Sequence, residues 1–342
     1  MKVFISARFD QEQLEILKQQ WEIVGVFNWT QEGRRLGAEE LVRKLDGVDV
    51  LITEIDIITD DILARCPALK VVVDCRGNPV NVDVEAATKR GILLIHTPGR
   101  NADAVADLTV ALMIMLARRI LPASRSVTSG QWATMPRFWA YHTFQGIELG
   151  GRKVGLIGLG AIGRKVAQRL RAFNMEVLAY DPYVSPEIAE ALEVHLVPLE
   201  VLLRESDFIS LHVHVTEETK GMIGEREFAL MKPTAYLINT ARAAVIDEAA
   251  LYKALRERRI AGAALDVYHT EPLPPNNPLL QLDNVVLTPH IGGATEDVVR
   301  HQSRIVVEEL QRLRAGKLPR FIFNEEVLPR FQARLTAFSR SK

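Results

Sequence analysis

Cysteine is scarce in this chain. Cys66 and Cys75 are the only two among 342 residues, which excludes a disulfide framework and a thiolate metal cluster and fits a reducing, cytoplasmic setting. An excess of charge is missing as well. Lysine and arginine number 42 against 43 aspartate and glutamate, so the balance offers no footprint for nucleic acid or an anionic membrane. No apolar run approaches the roughly 20 residues that a bilayer requires. The most apolar stretch, Leu108 to Ala117, is flanked by Asp107 and Arg118 and reads as a buried helix. Met1-Lys2-Val3-Phe4-Ile5-Ser6 reads as a first strand and lacks the apolar core of a secretory leader. Repeats and low-complexity tracts are absent too, which leaves a chain long enough for two globular domains.

What stands out is a glycine pattern in mid-chain, Val154-Gly155-Leu156-Ile157-Gly158-Leu159-Gly160-Ala161-Ile162-Gly163. An apolar strand precedes it, a helical pattern follows, and the next apolar run, Val177 to Tyr180, ends on Asp181. Each part suits a dinucleotide. Gly158 permits a tight turn, Gly160 lets the backbone approach a pyrophosphate, and Gly163 lets the helix pack close to the sheet. The free N–H groups at the helix start, from Ala161 and Ile162 onward, receive the phosphate charge. Asp181 accepts hydrogen bonds from ribose hydroxyls and repels a 2′-phosphate, and only Pro182 and Tyr183 follow it. NAD is therefore expected over NADP. Arg164, which directly follows Gly163, is expected to face solvent or the pyrophosphate.

Strand-like runs at 2–6, 24–29, 50–53, 71–74 and 93–97 alternate with helical patterns at 12–20, 38–45, 60–65 and 82–90. One long apolar helix is expected over 101–119, after the break at Pro98-Gly99. A second series of strands follows at 153–158, 177–181, 208–213, 236–240, 263–267 and 285–288, and an amphipathic helix at 295–315. Alternation of this kind implies parallel sheets with helices on both faces. The expected fold is α/β with two doubly wound domains: a flavodoxin-like substrate domain, 1–99 plus 294–342, and an inserted Rossmann NAD-binding domain, 100–293. The active site is expected in the crevice beyond the carboxyl ends of the strands.

Polar residues cluster at such strand ends. They occur in Ile238-Asn239-Thr240-Ala241-Arg242, Ala264-Leu265-Asp266-Val267, His269-Thr270-Glu271-Pro272 and Thr288-Pro289-His290-Ile291-Gly292-Gly293. With the glycine turn, these segments closely resemble the D-isomer-specific 2-hydroxyacid dehydrogenases. The likeness extends to Asn81-Val82-Asp83, to Thr97-Pro98-Gly99-Arg100-Asn101, and to Ser210-Leu211-His212 with Thr216 to Gly221, about residues 45–320 in all.

The resemblance implies a catalytic set of Arg242, Glu271 and His290, and the chemistry accounts for each type. His290 is the proton carrier, since imidazole exchanges protons near neutral pH. Glu271 holds one ring nitrogen and stabilises imidazolium, which moves the histidine pKa upward. Arg242 grips the substrate carboxylate with paired donors and polarises the adjacent carbonyl, so no metal is needed. Asp266 corresponds to the acid that anchors the nicotinamide carboxamide. Val105, His212, Thr216, Thr240 and Ala241 complete the implied cofactor-binding set. Other readings exist for single residues: Asp266 as a helix cap, Arg242 paired with Asp247, His212 as a satisfied core histidine, Val105 as plain core.

The chain departs from the family at Asp74-Cys75-Arg76-Gly77-Asn78-Pro79, where relatives carry a glycine- and valine-rich loop whose N–H groups receive the substrate carboxylate. Arg76, Gly77 and Asn78 are expected to bind substrate, with Arg76 or Asn78 reading a second polar or anionic group; the alternative pairs Arg76 with Asp74. Residues 119–150 carry Trp132, Trp139, Tyr141, His142 and Phe144, and in relatives this region forms a dimer interface, so a homodimer is expected. The implied substrate is a small 2-hydroxy or 2-keto acid. A non-enzymatic NAD sensor of the corepressor type shares the fold and stays open at this stage.

Overall fold

The structure is a computed structural model and describes residues 1–331; the remainder of the expected first domain, 332–342, lies outside the described residues. The chain divides into two compact units. One comprises Met1–Arg100 and the residues from Thr295 on, the other Asn101–Ala294.

The first unit holds strands β1 (Lys2–Ser6), β2 (Glu22–Val26), β3 (Val50–Thr53), β4 (Val71–Asp74) and β5 (Leu93–His96), all parallel, in the order β2-β1-β3-β4-β5. This is the flavodoxin-like order. Strand side chains alternate between faces, so the sheet feeds two cores. Val3, Ile5, Val50, Ile52, Val71 and Val73 pack with Leu14 and Leu17 of helix Gln11–Lys18 and with Val306, Leu310 and Leu313 of helix Glu296–Arg314. Phe4, Leu51, Val72 and Leu94 pack on the opposite side with Leu41, Ile62 and Ala86. The 19-residue helix Glu296–Arg314, capped by Thr295, is thus an integral part of this unit's core. After it the chain runs antiparallel to β5 through Ile95 and Ile322, and buried Asn324 accepts from the Leu94 N–H at 2.8 Å. That segment covers an otherwise open sheet edge.

The second unit is built on β6 (Lys153–Ile157), β7 (Glu176–Tyr180), β8 (His195–Leu196), β9 (Phe208–Leu211), β10 (Tyr236–Asn239), β11 (Gly262–Leu265) and β12 (Val285–Leu287). All pairings are parallel, in the order β12-β11-β10-β9-β6-β7-β8. This is the Rossmann order with a seventh strand added at one edge. Helices Ala102–Ala117 and Ala161–Ala172 cover one face, and helices Leu199–Glu205, Glu225–Leu230 and Glu248–Arg256 contribute to the core of the other.

Two expectations fail at helix boundaries. The second strand spans Glu22–Val26 and not 24–29, because the Asn28 side chain accepts from the Thr30 N–H and starts the short helix Trp29–Glu32. The long helix stops at Ala117. Arg119 takes a left-handed φ of 51° and a new helix begins at Ile120–Thr128. Among the described residues no helix is long and apolar enough to cross a membrane.

Candidate active site

The glycine turn between β6 and helix Ala161–Ala172 is shaped by contacts that only glycine permits. Gly158 has a φ of 96°, and a Cβ there would stand 2.8 Å from the His212 carbonyl. A Cβ on Gly163 would fall 2.2 Å from the Gly158 oxygen, so the helix packs directly on the turn. Gly160 faces open space, with nothing within 4 Å of an added Cβ. Helical geometry leaves the N–H groups of the first turn, including Ala161, Ile162 and Gly163, without intrahelical partners. Glycine approach, open volume and unpaired donors together fit a pyrophosphate.

Asp181 completes this turn. Its Oδ2 accepts from the Leu159 N–H at 2.7 Å and its Oδ1 from the Tyr183 N–H at 2.9 Å. No cation pairs with it among the described residues, so its charge is uncompensated and suits ribose hydroxyls better than a 2′-phosphate. Arg164 does not offset it; its Nε donates to the Leu159 carbonyl at 2.9 Å. His212 lies under the glycines with Nε2 2.9 Å from the Ser210 hydroxyl, while its buried Nδ1 has no partner among the described residues. Burial pushes its pKa down to about 3, so the ring is neutral. An orphaned ring nitrogen beside the turn is a further polar atom for a bound group to satisfy. Among the described residues Thr216 makes only local bonds, to Glu218, Thr219 and the Lys220 N–H.

The remaining cofactor-side residues act partly as scaffold. The Thr240 hydroxyl, at the exit of β10, meets that of Thr109 at 2.9 Å, and Thr109 donates to the carbonyl of buried Val105. The Asn239 side chain then folds the turn, accepting from Ala241 N–H and donating to the Arg242 carbonyl, each at 3.0 Å. Arg242 emerges exposed with an extended φ of −147°. Its Nη1 donates to the Ala241 carbonyl at 2.6 Å, and no carboxylate pairs with it among the described residues. The alternative pairing with Asp247 is not formed, because Asp247 caps helix Glu248–Arg256 through the Ala250 N–H.

Asp266 follows β11, is buried, and caps no helix. Its Oδ1 accepts from the Thr288 hydroxyl at 2.6 Å and the Ile291 N–H at 2.9 Å, and its Oδ2 from the Gly292 N–H at 2.8 Å. The loop after β12 is therefore wrapped around this carboxylate. At its apex His290 adopts a φ of 53°, with its N–H on the Thr288 carbonyl at 3.0 Å. His290 Nδ1 lies 2.7 Å from Glu271 Oε2, and Glu271 Oε1 accepts from the Tyr268 N–H at 3.0 Å. Burial raises the Glu271 pKa, but the His290 contact, the Tyr268 N–H and the nearby Arg242 charge outweigh it and hold the carboxyl below its ordinary range. An ionised Glu271 fixes the proton on Nδ1, which leaves Nε2 open for exchange. Both side chains are accessible, His290 at 46% and Glu271 at 36%. The bonding roles of Asn239 and Thr288 were not evident beforehand, because a turn-forming amide or hydroxyl gives no motif until its partners are known.

In the first unit, β4 ends on Asp74, which is buried with neither oxygen hydrogen-bonded among the described residues. The alternative pair with Arg76 is not formed. Arg76 is half-buried and pairs with no carboxylate among the described residues. Its carbonyl accepts from the Thr97 N–H at 2.9 Å, and the Gly77 carbonyl lies 2.8 Å from His96 Nδ1. Burial pushes the Asp74 pKa up to about 8; Arg76, Arg100 and the Asn81 amide oppose this without meeting hydrogen-bond geometry. The folded pKa therefore lies above the unfolded one, and the native state keeps a proton that the unfolded chain loses above pH ~4. Stability should fall between about pH 4 and pH 8, by up to ~1.4 kcal/mol for each pH unit. Asp74→Asn is expected to raise Tm at pH 7 and leave it unchanged at pH 4; thermal unfolding across that range checks it, and an equal shift at both values refutes it.

Comparison with known proteins agrees with this geometry. Residues 110–292 match the family model described as D-isomer specific 2-hydroxyacid dehydrogenase, NAD binding domain. Over 327 residues the chain is 41% identical to a glyoxylate reductase of Thermococcus litoralis, covering 96% of this chain and 98% of that one. It is 38% identical to a D-3-phosphoglycerate dehydrogenase of Methanocaldococcus jannaschii, over 96% of this chain but 60% of that longer one. Among solved structures, the NAD-complexed D-isomer specific 2-hydroxyacid dehydrogenase of Lactobacillus delbrueckii superposes with a TM-score of 0.78 at 25% identity, over 95% of this chain and all of that one. A glycine turn shaped for pyrophosphate, an unpaired acid at the end of β7 and matches over nearly the whole length converge: the chain belongs to the D-isomer-specific 2-hydroxyacid dehydrogenase family, as an NAD-dependent oxidoreductase.

Proposed function

We propose that the protein interconverts small 2-keto acids and D-2-hydroxy acids, with glyoxylate and hydroxypyruvate as the nearest substrate types. The observation that carries this reading is the 2.7 Å contact between His290 Nδ1 and Glu271 Oε2, which leaves Nε2 free. NADH, when bound, would supply the hydride. His290 delivers the proton from Nε2 to the carbonyl oxygen as it becomes a hydroxyl, and Glu271 stabilises the imidazolium before transfer. Arg242, which pairs with no carboxylate among the described residues, binds the substrate carboxylate with two parallel N–H donors and draws charge from the adjacent carbonyl. Gly158, Gly160, Ala161, Ile162 and Gly163 hold the pyrophosphate and Asp181 the ribose, with Val105, His212, Thr216, Thr240, Ala241 and Asp266 serving the same cofactor. The two cysteines are free and buried, in keeping with a cytoplasmic protein.

In the first unit, we assign Arg76, Gly77 and Asn78 to substrate binding. None of these three N–H groups donates a hydrogen bond among the described residues, and the Arg76 guanidinium is unpaired, so the loop offers donors and a fixed positive charge to an anion. NADH oxidation against a panel from glyoxylate to 2-keto dicarboxylates tests the whole reading. Binding of NADH without turnover of any member would favour a sensor. Arg76→Ala is expected to lower kcat/KM for substrates with a second anionic group by about tenfold, ~1.4 kcal/mol, and to spare glyoxylate. An unchanged value for every substrate that carries a second anionic group removes the assignment.

Ile120, Val127, Trp132, Phe138 and Tyr141 are exposed along the segment that follows helix Ala102–Ala117, which supports a homodimer built on this face. Light scattering at micromolar concentration should give twice the 38.3 kDa chain mass; a monomer would overturn it.

A further inference from the structure

The segment between Asp266 and Glu271 contains two side chains that no part of this reaction scheme uses. The Tyr268 hydroxyl lies 2.8 Å from the Thr288 carbonyl and 3.1 Å from that of Leu265. A phenol has one proton to donate, so the nearer carbonyl takes most of it. That carbonyl also accepts the His290 N–H at 3.0 Å, and so belongs to the turn that gives His290 its left-handed backbone. Burial pushes the Tyr268 pKa up to about 12, and the hydroxyl remains a donor at any working pH. The same residue's N–H holds Glu271 Oε1. One tyrosine thus grips both members of the imidazole–carboxylate couple, one through its hydroxyl and the other through its backbone.

His269 reaches the third member. Its Nε2 is 3.1 Å from the Ile246 carbonyl, and since a carbonyl only accepts, Nε2 carries the proton. Ile246 closes the one-turn helix Ala243–Val245, whose first flanking residue is Arg242. The loop carrying Glu271 is therefore bonded to the His290 turn by Tyr268 and to the Arg242 turn by His269.

We propose that Tyr268 and His269 are positioning residues which hold Arg242, Glu271 and His290 in one frame, an inference that rests on the catalytic reading of those three. All three sit on loops, and proton transfer tolerates little error: a displacement of about 1 Å costs on the order of 100-fold in rate. The hydroxyl of Tyr268 is the only atom lost in Tyr268→Phe, so its role is separable from packing.

Steady-state and single-turnover reduction of glyoxylate, or of the best 2-keto acid found, tests this. Tyr268→Phe is expected to lower kcat about five- to twentyfold, within the range that small misplacements produce, with KM for NADH and keto acid within about twofold. In a His290→Asn background the same change is expected to have no further effect, because the hydroxyl acts through that imidazole's position. His269→Ala is expected to raise KM for the keto acid several-fold with KM for NADH unchanged, and His269→Gln, which retains a donor, to restore it. Wild-type kcat in Tyr268→Phe, or equal losses in both backgrounds, overturns the Tyr268 assignment; unaltered KM in His269→Ala overturns that of His269. Full turnover by His290→Asn itself would sink the catalytic reading, whereas a crippled His290→Asn beside an unaffected Tyr268→Phe sinks only this inference.

Discussion

Replacing His290 with asparagine is expected to cut kcat for 2-keto acid reduction by about 10²- to 10⁴-fold, the usual contribution of a positioned acid or base. Asparagine isolates the chemistry. His290 sits at a φ of 53°, a region that asparagine tolerates better than most residues. Its side-chain amide also retains a donor for Glu271, which now accepts from Nδ1 at 2.7 Å. What disappears is the free ring nitrogen able to give and regain a proton. The loop keeps its form, because Asp266 holds it through Thr288, Ile291 and Gly292 independently of the His290 side chain. KM for NADH and for the keto acid should therefore stay close to wild type while kcat falls. That pattern marks an interaction made in the transition state and not in the ground state. A variant that keeps more than a tenth of the wild-type kcat would mean that another group carries the proton.

How much of this was readable from the chain itself depends on what kind of signal each feature leaves. The glycine turn was legible because close backbone approach admits no other residue, and Gly158 and Gly163 show that constraint directly. The strands were legible where both faces are covered. The Val-rich and Ile-rich runs at β3 and β4 are continuous because each feeds two cores, one per face. The two-residue strand β8 was not, since a short edge strand carries no pattern. The error at β2 has a local cause: Phe27 and Trp29 continue the strand-like pattern in sequence, yet the Asn28 side chain between them turns the backbone into a helix there.

The proposed catalytic set falls on polar residues at strand ends that the sequence displays, but the contacts that hold those residues are not displayed there. Tyr268 falls between two motifs and Asn239 inside one, and both act through hydrogen bonds to backbone carbonyls distant in sequence or across a turn. Nothing in a sequence marks which carbonyl a side chain will meet. Charge pairing was equally hidden. Asp74 and Arg76, two residues apart in sequence, form no pair, because β4 carries Asp74 into the core while Arg76 lies beyond the strand end.

Arg242→Ala is the second change with a large expected effect. Losing a charge-assisted partner of a bound carboxylate typically costs about 2–5 kcal/mol, a fall in kcat/KM of roughly 30- to several-thousand-fold. Stability should not follow. Arg242 is exposed, and among the described residues its side chain makes one hydrogen bond, to the adjacent Ala241 carbonyl, so its removal strands no buried charge; a change within about 0.5 kcal/mol is expected. Arg242→Lys discriminates the two duties assigned to the guanidinium. Lysine retains the charge and so part of the polarisation of the carbonyl, but it cannot present two parallel N–H donors to a carboxylate. Its KM for the keto acid should remain high while kcat partly recovers. If lysine restores both constants, the site requires only a positive charge, and a geometric grip on the carboxylate is not how Arg242 acts. If alanine leaves kcat/KM intact, the substrate carboxylate is bound elsewhere, and the unpaired guanidinium at the exit of β10 has no part in the reaction.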